Sequence, residues 1–304
     1  MSAPLVAIAG SNAPAAQRIN ISFIVSVGSR NEHTAMRNAL GRLDIPIYEV
    51  APNASKDPQA NKSIVLSNVR EQLAKGFTQQ SWKNGFPLVV CDVLDSVEGI
   101  TFADVAQKSK AESPDSVFCL LTSESECAGT LAQMEEYARS RGIGAELLKS
   151  VDFTLNYSGD RSIFPAMVRA VEDGQNYTVD SRQIILLAEE KPLIYSPILC
   201  ELHAACAEQR AGIVLVRSLE EALATVNQHA GRIAGSIAGA GISEELLTRM
   251  QEASPNAKKV ALEHPGLPAN SRADFNLVVA ESDLSLGNKI RNMAGELITS
   301  IFQR

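Results

Sequence analysis

Short apolar runs alternate with amphipathic stretches of helical length along nearly the whole chain, and few folds accept such a pattern. In the first half the runs cover residues 21–27, 45–50, 86–92, 117–122 and 145–149. Each is too short for a buried helix and rich enough in Val, Ile and Leu for a strand covered on both faces. Between them lie residues 32–43, 61–83, 101–111 and 126–141. These carry apolar side chains at helical spacing, such as Leu66, Val69 and Leu73, or Leu131, Met134 and Tyr137. Strand, helix, strand, repeated, predicts a parallel sheet with right-handed crossovers. Residues 156–160 are turn-rich, 163–172 read as a closing helix, and 174–181 as a polar linker.

The alternation then restarts. Strands are predicted at 184–188, 213–216, 232–237, 259–262 and 275–280, and helices at 197–209, 219–228, 244–252 and 286–302. Two doubly wound five-stranded units therefore account for the chain. One spans residues 1–177, including an N-terminal extension of about 20 residues, and the other 178–304, in agreement with the usual domain size of about 150 residues. An internal duplication is the economical reading. Ile290, Met293, Leu297 and Ile301 give the last helix an apolar stripe that packs either on its own domain or on a partner.

Composition narrows the function classes. Lys and Arg number 28 against 35 Asp and Glu, a net charge of −7. That sign argues against wrapping a phosphate backbone, so no direct nucleic-acid partner is expected. No stretch approaches the roughly 18 to 20 continuous apolar residues of a membrane span, and residues 4–9 lack the basic flank of a signal peptide. The five cysteines are odd in number and without CxxC spacing, which predicts buried reduced thiols in a cytoplasmic protein rather than a metal or redox centre.

In open α/β sheets, reacting groups gather at the carboxyl ends of strands. Here the third predicted strand ends in Asp92, the fourth in Thr122 thirty residues on, and the fifth in Lys149. A carboxylate, a hydroxyl and an ammonium in one crevice have the chemistry to accept a phosphoryl group and neutralise its charge. Equally, a strand-end Asp caps loops, and a Lys there is ordinarily solvated.

On these residues the stretch from about Asn20 to Glu172 resembles the receiver domains of two-component response regulators. In that family the third strand ends in the phospho-accepting Asp, the fourth in Thr or Ser and the fifth in Lys. The resemblance implies a flavodoxin-like α/β fold, Asp92 as candidate phospho-acceptor, and Thr122, Lys149 and Asp95 as its supporting pocket. It also implies Mg²⁺ where Asp92 is phosphorylated, and a histidine kinase or a downstream signalling protein as partner. Receivers commonly dimerise or meet partners through a face that maps onto residues 126–141 and 163–172, so a homodimer is also among the expectations. One departure stands out. Receivers hold Mg²⁺ with acidic residues after the first strand, whereas this strand ends Val25-Ser26-Val27-Gly28-Ser29 with no carboxylate before Glu32.

The second half keeps the order of elements without the chemistry. Glu189 and Glu190 follow its first strand like an acidic pair, weak metal candidates more readily explained as solvated strand-end residues. Ser236 or a neighbour stands where the acceptor belongs, and Glu263-His264 and Glu281 replace the hydroxyl and the lysine. The glycine-rich stretch 235–241 matches neither a P-loop nor a dinucleotide fingerprint. His33, His203, His229 and His264 show no metal-binding spacing, and no catalytic dyad is legible. The sequence thus predicts a signalling or scaffolding module of two receiver-like domains, the second degenerate, that acts through protein contacts and carries no legible catalytic signature. Two rivals stay open: a regulator phosphorylated on Asp92, and an α/β small-molecule-binding protein or enzyme.

Overall fold

A computed structural model describes residues 20–52, 57–79, 85–92, 94, 97–122, 136, 139–140, 149–157, 159–178, 181–209, 211–263, 269–278, 296 and 298–302. The first unit runs β1 (Asn20–Val27), α1 (Arg30–Leu40), β2 (Ile47–Val50), α2 (Pro58–Gln79), β3 (Gly85–Asp92), α3 (Phe102–Glu112), β4 (Val117–Thr122), β5 (Phe153–Asn156) and into α4 (Ile163–Asn176). Its strands form one sheet in the order β2-β1-β3-β4-β5, with every neighbouring pair parallel. The second unit continues with β6 (Gln183–Ala188), α5 (Pro192–Glu208), β7 (Ala211–Val216), α6 (Leu219–His229), β8 (Ile233–Gly239), α7 (Ser243–Ala253), β9 (Lys258–Glu263) and β10 (Phe275–Val278). Its order, β10-β9-β8-β6-β7, repeats the first topology with all pairs parallel. Both sheets are doubly wound, and the fold class is α/β of the flavodoxin-like type.

The helices begin where the sequence supplies caps. Ser29 accepts the Glu32 N–H while Glu32 reaches back to the Ser29 N–H, and Thr101 and Asp104 repeat this capping box at α3. Proline at the first position starts α5. In the first unit α2 and α3 share one sheet face, where Val65, Val69, Leu73, Phe102 and Val105 pack on Phe23, Val25, Val89 and Phe118. Burial at such positions stabilises by about 1.5–3 kcal/mol per large side chain. Gly76 lets α2 approach closely, since a Cβ there would lie 2.4 Å from the Phe23 ring.

Three boundaries differ from the sequence reading. The fifth strand is Phe153–Asn156 rather than 145–149, because Asp152 accepts the Phe118 N–H and so sets β5 beside β4. Lys149 lies in an exposed turn leading into that strand. The compact units part between Val171 and Glu172, inside α4, and not at 177. The linker expected from residue 174 begins as helix, and the end of α4 carries Asp173, whose carboxylate meets Ile213, Arg182 and His203 of the second unit. Of the last predicted helix, residues 298–302 are helical and Ile298 and Ile301 are buried, with Ile301 against Gly235 of the same unit. The N-terminal extension and most of the predicted helix 126–141 lie outside the described residues.

Candidate functional site

In each unit the first strand lies between the second and the third, so the crossovers diverge from its carboxyl end and leave a crevice there. In the first unit the register sets Asp92 beside Leu121 on β4, and Thr122 beside Asn156 on β5. Asp92 and Thr122 therefore end adjacent strands at one rim, and the residue closing β5 at that rim is Asn156. Lys149, on the amino side of β5, does not close the strand as the sequence reading expected. Asp95 lies outside the described residues.

Two details define the crevice. A Cβ on Gly28 would fall 2.7 Å from Glu32 Oε2 and 3.3 Å from the Asp92 Cβ, so Gly28 makes room between two carboxylate-bearing side chains. Glu32 Oε2 accepts the Ser29 N–H at 2.8 Å, which fixes that carboxylate at the start of α1. Thr122 is fully buried and its hydroxyl donates to the Leu155 carbonyl at 3.3 Å. Leu94, two residues beyond Asp92, is buried with φ +62°, in the left-handed region. Nearby, His33 is buried with Nδ1 3.8 Å from Glu49 Oε2. Burial pushes its pKa below the usual imidazole value, against the pull of Glu49 and Glu32.

The second unit exchanges the partners across the same crevice. Gly239 pairs with Leu262 as Asp92 pairs with Leu121, so Gly239, not Ser236, holds the place of Asp92. The carboxylate comes instead from the residue after β6: a Cβ on Gly239 would lie 2.0 Å from Glu189 Oε2. Glu189 is buried, 6% exposed, correcting its expected solvation, and Oε1 accepts the Lys191 N–H at 3.0 Å. Burial raises its pKa, with the Lys191 N–H and ammonium opposing. Glu190 Oε2 stands 3.9 Å from where Gly241 would carry a Cβ. Glu263 ends β9, is likewise 6% exposed, and its Oε1 has no hydrogen-bond partner. Among the described residues no three His, Cys, Asp or Glu side chains are arranged to hold a metal ion.

The opposite, amino edge of the second sheet holds a buried polar cluster that the sequence did not announce. Asp173 Oδ2 accepts the Ile213 N–H at 3.0 Å, and Oδ1 lies 2.9 Å from an Arg182 guanidinium nitrogen. His203 Nδ1 is 3.6 Å from Oδ2. Burial, reinforced by Asp173, pushes the Cys206 thiol up to about 12. This thiol is no nucleophile at neutral pH, and the cluster is structural. Cys91, Cys119, Cys200 and Cys206 are thiols, not disulfides.

No family model matches the chain, and no curated protein matches it. Among solved structures, a ketoreductase domain from the bacillaene assembly line is 11% identical, covering 93% of this chain and 77% of its own, with a TM-score of 0.28. The lac repressor dimer bound to operator and the anti-inducer ONPF is 11% identical over 92% and 88%, with a TM-score of 0.25. A solute-binding protein of an ABC transporter system from Aeropyrum pernix K1 is 12% identical over 80% and 63%, with a TM-score of 0.22. Likenesses this faint bear on neither mechanism nor ligand.

Proposed function

We propose that the protein is a signalling or scaffolding module of two receiver-like units that works through protein contacts, with no phosphotransfer at Asp92. The observation that carries this reading is the closure of β5 by Asn156 beside Thr122. An aspartyl phosphate carries roughly 1.5 to 2 negative charges. At this rim the fifth strand ends in an amide rather than an ammonium. The Thr122 hydroxyl is buried and already donates to the Leu155 carbonyl. The strand order supports the receiver likeness in both units, while the Gly239 and Glu189 exchange supports the second as the more degenerate. Among the described residues no helix is long and apolar enough to cross a membrane, and the thiols suit a cytoplasmic setting.

Thermal denaturation with Mg²⁺ and beryllofluoride, a mimic of the aspartyl phosphate, tests the reading. The expected result is an unchanged midpoint. A rise that disappears in Asp92→Ala would establish the rival, a phosphorylatable regulator.

A further inference from the structure

We propose that the second unit binds an α-amino acid at the carboxyl end of β9, with Glu263 receiving the ammonium and the start of α7 the carboxylate. Glu263 closes β9, is 6% exposed, and its Oε1 has no hydrogen-bond partner. An uncompensated buried carboxylate costs stability, and a bound ammonium offsets that cost. Alternation along β9 puts the Glu263 side chain on the face of Ala261 and Ala238, where Leu246, Leu247 and Met250 of α7 pack. Because α7 follows β8, it begins at the same carboxyl edge. Its N-cap residue, Ile242, supplies no side-chain acceptor, so the N–H groups of the first turn remain uncapped at the positive end of the helix. Ser243, at the first position, is buried, whereas Glu244 and Glu245 in the same turn are exposed.

A chain of polar contacts joins the two ends. Asn270 Nδ2 donates to Ser243 Oγ at 3.2 Å, and the Asn270 N–H donates to Asn276 Oδ1 at 2.9 Å. Asn276 pairs with Ala261, two residues before Glu263, so Asn276 and Glu263 share a sheet face. The first unit closes what the second leaves open. Gly239 pairs with Leu262 as Asp92 pairs with Leu121, which equates Glu263 with Thr122, and α7 follows β8 as α3 follows β3. There the Thr122 hydroxyl donates to the Leu155 carbonyl, and Thr101 and Asp104 cap α3. The same two positions of the second unit carry an unpartnered carboxylate and an uncapped helix start, unlike charges on one face. An α-amino acid bears an ammonium and a carboxylate on one carbon and answers both, whereas a simple amine or a simple anion answers one.

Thermal denaturation of the full chain with each standard amino acid in turn, at millimolar concentration and neutral pH, tests the proposal. At least one is expected to raise the midpoint by mass action on the folded state. Acetate, and the amine that lacks that amino acid's carboxylate, are expected to leave the midpoint unchanged. Glu263→Gln keeps the side-chain shape and is expected to weaken binding about tenfold or more, which removes the rise. Should that variant fail to fold, Ser243→Asp is read in its place: it sets a carboxylate at the helix start, suits the helix dipole, and is expected to remove the rise by occupying the anion's position. No rise with any amino acid, an equal rise with the amine, or an undiminished rise in a folded variant would overturn the proposal.

Discussion

Removing the Asp173 carboxylate is the most demanding perturbation of the second unit. Asp173 is 3% exposed, accepts the Ile213 N–H at 3.0 Å and pairs with Arg182, whose side chain is 17% exposed. In Asp173→Ala the Ile213 N–H loses its acceptor, a loss of about 1–3 kcal/mol. The mostly buried Arg182 guanidinium loses the Asp173 charge, and breaking a buried pair costs about 3–5 kcal/mol. The two penalties share one side chain and do not add in full, which brings the expected loss to about 4 kcal/mol. With a urea dependence of about 2 kcal/mol per molar, the midpoint of the second unit falls by about 2 M. Urea unfolding followed by far-UV circular dichroism reads this directly. Arg182→Met in the Asp173→Ala background removes the charge that Asp173 balanced and is expected to recover part of the loss. A single-variant loss below about 1 kcal/mol, or a double variant worse than the sum of the singles, would refute the assignment of this cluster as the tie that docks the end of α4 on the second sheet.

Gly76→Ala drives a methyl into the Phe23 ring, so a loss of about 1–3 kcal/mol is expected in thermal melts, whereas Gly231→Ala, with open space at its Cβ, is expected to stay near wild type. Glu189 has a folded pKa above its usual 4.5, so folding favours its protonated form; the stabilisation is present at low pH and is lost as pH rises through the folded value. Glu189→Gln is therefore expected to match or exceed the wild-type melting midpoint at pH 7 and to lose that advantage toward pH 4.5, a trend that parallel melts across this range would expose. Cys206, held near 12, is expected to stay unmodified by iodoacetamide at neutral pH in the native protein and to react once denaturant is added, as peptide mass mapping reports.

The architecture was legible because the strands are nearly uniform apolar runs: residues 117–122 were placed to the residue, and β1, β3, β6 and β7 within a residue or two. The fifth strand was misplaced because Leu147 and Leu148 make residues 145–149 as apolar as a strand. What selects Phe153–Asn156 instead is a tertiary bond, Asp152 to the Phe118 N–H, which no local pattern encodes. That shift alone removes Lys149 from the predicted triad and puts Asn156 in its place. The beginning of α5 was set five residues late because Pro197 suggested a start, although Pro192 fills that role and Pro197 lies inside the helix. The proximity of Glu32 to Asp92 was not legible, since it depends on Gly28 and the pairing of β1 with β3. The burial of Glu189 was hidden for a similar reason: a glutamate after a strand reads as solvated until Gly239 is seen to leave space for it.

The central claim, that the Asp92 rim keeps the receiver-like order of strands without its phosphotransfer chemistry, is tested most directly by intact-mass spectrometry after incubation with acetyl phosphate and Mg²⁺. The account predicts a mass identical to that of the untreated chain. Addition of one phosphoryl group to the wild type but not to Asp92→Ala would contradict it.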